Sequence, residues 1–340
     1  MKVLVNGVGN IGKTVINILY DYKDLLGIHT VYALKNGKIS SWNQSELEFL
    51  SGKGIIVCTK EKSKFEKLGK VIDAVDYIFD CNANTIGLRN KAWYSGLPNL
   101  QGCCAQGSEK GFGIPFMSGV NNEVIANQRF VQVVSCNTHS LAALLYTISN
   151  NNITQITQSD FVIVRRSEDI GNHERLVAAN VVSRHLDKEV GTHHAIDVND
   201  LFQTKGTSVQ IQSSDITTPS QLMHTVRFNI GFIKAPETAE INEAIESNPL
   251  MSFTSKFDSN IIFELGRRYS PYGRLYSHAI INNNNILIDK TNNCVKGWAF
   301  IPQEGNTIIS TVHAFLLQTG NQNSEQILDT LISDLIMKEW

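Results

Sequence analysis

A chain of 340 residues, 42% hydrophobic and 18% charged, is longer than the roughly 250 residues that one core usually organises, so two domains are expected. A net charge of −2 offers no basic footprint for nucleic acid, and no apolar run reaches the length of a membrane span, so neither partner is expected. A small molecule fits better. The six cysteines, Cys58, Cys81, Cys103, Cys104, Cys136 and Cys294, show neither a CxxC pair nor a disulfide framework. The sequence opens on a strand-like run rather than a secretory segment, so a reducing cytoplasm is the expected location. Cys103 and Cys104 are adjacent, a spacing that suits packing better than a shared metal or an unstrained bridge.

In chain order, "MKVLVNGVGNIGKTVINILYDY" predicts a strand over Val3 to Val5, then Gly7, Gly9 and Gly12 in the spacing GxGxxG. A helix follows, carried by Val15, Ile18, Leu19 and Tyr22. In that setting Gly7 permits a tight turn, Gly9 lets the backbone approach a pyrophosphate, and Gly12 lets helix and strand pack closely. The helix N-terminus then offers N–H groups to phosphate. A second strand, Thr30 to Leu34, is followed by no Asp or Glu before Ser45, although a carboxylate for the ribose hydroxyls commonly stands there. Lys35 and Lys38 follow instead and can either meet a 2′-phosphate or solvate the loop, which favours NADP, or both cofactors, over strict NAD.

Strands predicted at Gly54 to Val57, Asp76 to Asp80 and Phe130 to Val134 continue the rhythm of a parallel sheet, with a helix over Ser140 to Ser149. After Asn150 the period-two runs "DFVIVRR", "TVRFNIGFI", "SHAIINNNNILID" and "KGWAFIPQ" predict a mostly antiparallel sheet with a few helices. The tetrad from Asn282 to Asn285 marks a turn. An amphipathic tail carries Ile327, Leu328, Leu331, Leu335 and Ile336 on one side. The expected fold class is an α/β Rossmann dinucleotide-binding domain over residues 1–137 plus an α+β catalytic domain over 138–302. A C-terminal segment, 303–340, is expected to return to the first domain.

Chemistry concentrates around Cys136, between a strand and a helix, where the helix dipole and N–H groups stabilise a thiolate. The same groups, with Asn137, can hold an oxyanion. An isolated cysteine is more often an inert core residue. Two features shift the balance: a dinucleotide motif in the same chain, and polar partners further along. Arg165 and Arg166 end a strand, where arginines solvate, pair, or hold a phosphorylated substrate. Thr192, His193 and His194 open a helix with Asp197 in its first turn, and can cap, pack or bind phosphate. No metal is expected there, because adjacent histidines lack the i, i+4 spacing of a helical pair. His224 stands at a strand entrance, where a lone histidine is more often structural than a base.

Taken together, "VNGVGNIGK", "QGSEKG" from Gln106, "GIPFMSGVN" from Gly113, "VVSCN", "IVRR", "THHAIDVN", "LMH" and a late "PQEG" resemble, in order, the archaeal-type (class II) phosphorylating glyceraldehyde-3-phosphate dehydrogenases. The resemblance implies a glycolytic or gluconeogenic oxidoreductase that converts D-glyceraldehyde 3-phosphate and inorganic phosphate reversibly to 1,3-bisphosphoglycerate, with hydride transfer to NADP or NAD. It implies Cys136 as nucleophile and His224 as base. Ser135, Asn137, Thr192, His193, His194 and Arg166 would hold the substrate. Asn10 and Ile11, with Gly107, Ser108, Arg165 and Gln303, would line the cofactor groove, and the assembly would be a homotetramer. A semialdehyde or acyl-phosphate reductase of the same plan, or a silent nucleotide-binding homologue, is the alternative. Three departures stand out: His139 replaces a threonine, "GSEK" replaces "GGEK", and "PQEG" replaces "HQES". His139 lies close enough to Cys136 in sequence to alter its thiolate or the phosphate pocket.

Overall fold

The computed structural model describes residues 1–61, 63–83, 85–167, 182–184, 187–219 and 222–340. The chain divides into two compact units, the first made of Met1–Ser118, Asn122–Val133 and Ser310–Leu328, the second of Gly119–Asn121, Val134–Ile309 and Asp329–Trp340.

In the first unit the opening apolar run becomes β1 (Lys2–Asn6). It is joined by β2 (Thr30–Lys35), β3 (Ile56–Thr59), β4 (Glu66–Lys67), β5 (Tyr77–Asp80), β6 (Gly102–Gln106), β7 (Ile114–Phe116) and β8 (Phe130–Val133). Their order is β4-β3-β2-β1-β5-β6-β8-β7, and among the described residues every pairing is parallel. Parallel neighbours need crossovers, and α1 (Asn10–Asp21), α2 (Ser41–Lys53) and α3 (Ile86–Ser95) provide three of them. Strands covered on both faces read as continuous apolar runs, and Val3, Leu4, Val5, Ile78 and Phe79 are fully buried. The face of α1 that meets the sheet carries Val15, Ile16, Ile18 and Leu19, also fully buried, each contributing about 1.5–3 kcal/mol. Because the order reverses between β1 and β5, the carboxyl ends of these strands part at a topological switch point, where open α/β sheets bind ligands. This is a Rossmann-like sheet.

The second unit begins with α4 (Cys136–Ile148), whose start lies four residues before the predicted Ser140. Ser135 caps it, accepting from the Thr138 N–H at 3.3 Å. The sheet then runs through β9 (Ile156–Arg165), β10 (Val182–Arg184), β11 (Ile211–Thr217), β12 (His224–Phe232), β13 (Met251–Thr254), β14 (Ala279–Asn282), β15 (Leu287–Asp289) and β16 (Cys294–Ile301). Helices α5 (His193–Gln203), α6 (Thr238–Ser247) and α7 (Ser259–Tyr269) interrupt it. The strand order is β10-β11-β9-β12-β16-β14-β13, with β15 also on β16. The sheet is mixed: among the described residues β9–β11 and β13–β14 are parallel and the other pairings antiparallel. The two parallel pairs are those with α5 or α7 between their strands, as crossovers demand. The asparagine tetrad is the expected turn, Asn282 ending β14 and Asn283–Asn285 forming a 3-10 turn before β15, and β14 and β15 each pair with β16 instead of each other.

The chain then continues as α8 (Ile308–Gln318) and α9 (Ser324–Leu335), and Ser310–Leu328 completes the first unit. There Phe315 packs edge-on to Tyr77 at 5.0 Å and lies 5.7 Å from Phe79. Gln318 accepts from the Tyr77 hydroxyl at 2.5 Å and donates to the carbonyl of Gln128 at 2.7 Å. In α9, Ile327, Leu328, Leu331 and Leu335 are buried, whereas Ile336 lies beyond the helix end and is half-buried. Among the described residues no helix is long and apolar enough to cross a membrane.

Candidate active site

In the first unit the candidate residues follow from strand direction, since all its strands are parallel and end at one edge. Gly7 (φ +111°) turns the chain after β1 so tightly that a Cβ would stand 2.7 Å from the Cys81 carbonyl oxygen beyond β5. A Cβ on Gly12 would sit 1.9 Å from the carbonyl oxygen of Gly7, whereas one on Gly9 would meet nothing within 4 Å. Gly9 is the N-cap of α1 and has no side chain to cap it; Gly9 is exposed, and Asn10 and Ile11 are half-buried. Asn36, directly after β2, donates to Asn6 Oδ1 at 2.6 Å and Asn82 Oδ1 at 2.9 Å. Amides thus occupy the ends of β1, β2 and β5, where a ribose-binding carboxylate was absent from the sequence. Lys35 closes β2 half-buried, and Lys38 is exposed. Gly107 (φ +83°) follows β6, its N–H bound to the Val133 carbonyl at 2.9 Å and its own carbonyl to Gln132 at 3.0 Å; Ser108 beside it is half-buried.

The second unit holds Cys136, Asn137, Arg165, Arg166, Thr192, His194, His224 and Gln303, with Asn137 bonded to His194, Arg166 and Gln303 bonded to His224, and Arg165 and His194 close enough to act electrostatically on His224. Cys136 is the first residue of α4 and half-buried. Its carbonyl accepts from the Asn306 amide at 2.9 Å, and that amide also serves the Ser140 hydroxyl and the His278 carbonyl. Asn137 is buried, its Nδ2 lying 3.1 Å from His194 Nε2. Asn137 Oδ1 and His194 Nδ1 are both buried without a hydrogen-bond partner among the described residues, an arrangement that costs free energy unless a ligand satisfies it. Thr192 is the N-cap of α5, but its hydroxyl lies 2.6 Å from that of Ser213 and does not cap the helix. His193 is exposed.

The two arginines differ sharply. Arg166, 4% exposed, donates to Glu304 Oε1 at 2.8 Å and to the Leu222 carbonyl at 3.2 Å; Arg274 binds the other oxygen of Glu304 at 3.2 Å. Arg165 keeps 32% of its side chain exposed, pairs with Asp215 at 3.1 Å, and buries an Nε that has no partner among the described residues. His224 opens β12. Its Nδ1 accepts from the Arg166 main-chain N–H at 3.0 Å, so the neutral ring carries its proton on Nε2. Gln303 reaches it there, with Oε1 accepting the His224 main-chain N–H at 2.9 Å and Nε2 lying 2.5 Å from the ring Nε2. The Gln303 carbonyl can serve only one of those two donors, according to which way the amide is turned.

Burial holds both histidines neutral: His194 lies well below the usual imidazole range through desolvation, then the nearby His193 and Arg165. His224 does so through desolvation, then Arg166, Arg165 and His194. His139, the departure nearest the cysteine, is fully buried, with Nδ1 at 3.2 Å from the Ser135 carbonyl and its ring edge-on to His278 at 5.0 Å. Desolvation pushes it down to about 4 and His278 well below the usual value. At neutral pH His139 therefore carries no charge that could act on a thiolate. His313, in the first unit, is also pushed down to about 4 by burial. These three rings are neutral when folded and protonate near 6.5 when unfolded, so the unfolded chain binds more protons between pH 6.5 and 4. Stability is therefore expected to fall as pH drops through that window, by up to about 1.4 kcal/mol per pH unit for each histidine. Urea midpoints at pH 7 and pH 5 check this, and equal midpoints would contradict it.

Sequence reasoning missed one grouping. His193, His194 and Asp197 each offer one ligand atom, and the three atoms lie within 4.8 Å of one another. The signal was present, because His193 and Asp197 are spaced i, i+4 and His194 and Asp197 i, i+3 on one helix. The adjacency of the two histidines masks it in sequence, and Asp197 follows the first turn of the helix instead of lying within it as expected.

No protein-family model matches the chain. It is similar to curated proteins named glyceraldehyde-3-phosphate dehydrogenase. That of Saccharolobus islandicus is 27% identical over 278 residues, covering 78% of this chain and 76% of its own. That of Saccharolobus solfataricus shows the same identity and coverage. The Methanoregula boonei protein of that name is 25% identical over 355 aligned positions, 99% of this chain and 97% of its own. These are distant relatives.

Proposed function

We propose that the chain is a phosphorylating, NADP- or NAD-dependent aldehyde dehydrogenase of the archaeal glyceraldehyde-3-phosphate dehydrogenase type. The observation that carries this reading is the setting of Cys136: first residue of a helix, partly exposed, and followed by an asparagine tied to a buried, neutral histidine. The relatives' name supports the substrate, glyceraldehyde 3-phosphate.

The glycine turn fits a dinucleotide, because the space above Gly9 is open and the first turn of α1 is uncapped. Gly7, Gly9, Asn10, Ile11 and Gly12, with Gly107 and Ser108, would hold it, and Lys35 would favour a 2′-phosphate. When bound, the dinucleotide accepts the hydride. In the protein's own steps, the Cys136 thiolate adds to the aldehyde carbon and the carbonyl electron pair moves to oxygen. The first-turn N–H groups of α4 stabilise that oxyanion. His224 handles the proton: with Nδ1 accepting from the Arg166 main-chain N–H it offers Nε2–H to the oxyanion, and where the adduct is the neutral hemithioacetal the other tautomer, with its proton on Nδ1, takes the hydroxyl proton on Nε2 as the hydride leaves. After hydride loss a thioester remains on Cys136. Inorganic phosphate attacks it, the C–S bond breaks, and thiolate and acyl phosphate separate. Thr192, His193 and His194 would hold phosphate. The guanidinium beside them is assigned to Arg165, since Arg166 is committed to Glu304.

The test is reduction of NADP and of NAD by purified protein with triose phosphate, with and without inorganic phosphate or arsenate. Reduction that depends on the acyl acceptor is expected. Absence of phosphate-dependent activity on triose phosphate with either cofactor would overturn it in favour of a semialdehyde or acyl-phosphate reductase of the same plan.

A further inference from the structure

We infer that His193, His194 and Asp197 form a binding site for a divalent transition ion, zinc by preference. Two observations carry it independently. First, the three ligand atoms already lie within 4.8 Å of one another on the opening turns of one helix. Around a tetrahedral ion with bonds of about 2.0–2.2 Å the donors would be drawn together by roughly an ångström. Exposed His193 is the partner able to make that movement, while His194 and Asp197 are buried and held. Second, His194 is 3% exposed and its Nδ1 is buried without a hydrogen-bond partner among the described residues. A ring nitrogen shut away from water and lacking a partner there is satisfied by a metal once the ring's proton sits on Nε2.

Asn137 completes the arrangement. Turned so that its Oδ1 accepts the His194 Nε2–H across the 3.1 Å contact, it fixes the tautomer that leaves the Nδ1 lone pair outward, the support that metal-bound imidazoles usually receive from their other nitrogen. The same turn gives a partner to Asn137 Oδ1, otherwise unsatisfied. Two imidazoles and one carboxylate suit zinc or its transition-row neighbours, whereas magnesium and calcium prefer all-oxygen shells. Three protein ligands leave a coordination position open.

The consequence for activity rests on the proposed function. Because His193 and His194 are also assigned there to phosphate, zinc competes with the phosphorylated substrate and slows turnover until a chelator removes it. The metal site itself is tested without any turnover assay. Purified full-length protein is titrated with zinc sulfate against a chromophoric chelator, together with Cys136→Ser, His193→Ala and Asp197→Asn variants. One ion per chain is expected in the wild type and in Cys136→Ser, with affinity at least tenfold weaker in His193→Ala, a change at an exposed position that leaves the fold intact. Asp197→Asn should match it, its folding monitored by circular dichroism; unfolding of that variant leaves His193→Ala to decide. Loss of binding in Cys136→Ser, undiminished binding in His193→Ala, or no stoichiometric binding in the wild type would each overturn the site. If zinc binds as described and triose phosphate is not oxidised, the site stands and only the reading of the reaction fails.

Discussion

Replacing Cys136 by serine is expected to lower aldehyde oxidation by at least about a thousandfold, because an alcohol at that position is not ionised near neutral pH and cannot leave readily from an acyl intermediate. The side chain is only half-buried and serine keeps its size, so the thermal midpoint should move little. Dinucleotide affinity should also survive, since the glycine turn lies elsewhere in the chain. Iodoacetamide labelling gives a second reading of the same residue. Cys58, Cys103 and Cys104 are buried, their thiols pushed up by desolvation, to about 12 for Cys58 and Cys104; Cys81 is likewise raised by burial. Against that background a helix-terminal Cys136 should label first at pH 7. Retained dehydrogenase activity in the serine variant would remove the cysteine from the mechanism.

The second large effect concerns two glycines three residues apart that should respond in opposite ways to the same change. Gly12→Ala places a methyl group 1.9 Å from the Gly7 carbonyl oxygen. Helix and turn cannot both stay where they are, and a loss of about 3 kcal/mol or more is expected, enough to unfold much of the first unit. Gly9→Ala meets no atom within 4 Å, and its backbone, at φ −92°, admits any residue. Its stability should equal the wild type's. What the Gly9 methyl enters is the space left for a pyrophosphate, so dinucleotide affinity should fall about tenfold or more. Thermal melts and cofactor fluorescence titrations of the two variants separate the roles. Unweakened dinucleotide binding by Gly9→Ala would argue against that turn as the phosphate cradle.

What could be read from the sequence depended on range. The first strand, the glycine turn and α1 were legible because Val3 to Tyr22 encode their own periodicity and turn chemistry. The start of α4 was not, since "CNTH" carries no apolar rhythm and the helix is begun by the Ser135 cap. The alternating runs of the second sheet point to antiparallel pairing, and the pairs β9–β11 and β13–β14 depart from it because parallel register is decided by where a crossover lands. Arg166 shows the same limit at the site. Side by side, Arg165 and Arg166 look interchangeable, yet one is sealed against Glu304, 138 residues away, and the other against Asp215, 50 residues away, with part of its side chain in solvent. His224 was visible only as a histidine at a strand start; its Gln303 and Arg166 contacts, 79 and 58 residues distant, decide its tautomer.

The division of the first unit into separate stretches of chain also governs the order of events during synthesis. All eight strands of its sheet are complete by Val133, but the helix that lays Phe315 on Tyr77 and Phe79 is made only after the long intervening stretch Val134–Ile309 of the second unit. Until then the nascent sheet carries an uncovered apolar face, and closing it means joining segments separated by a long loop, a slow step. A polypeptide ending before Ser310 would have every residue of the glycine turn and still lack the cover of its own core. Early arrest of translation should therefore yield a chaperone client rather than a small nucleotide-binding protein.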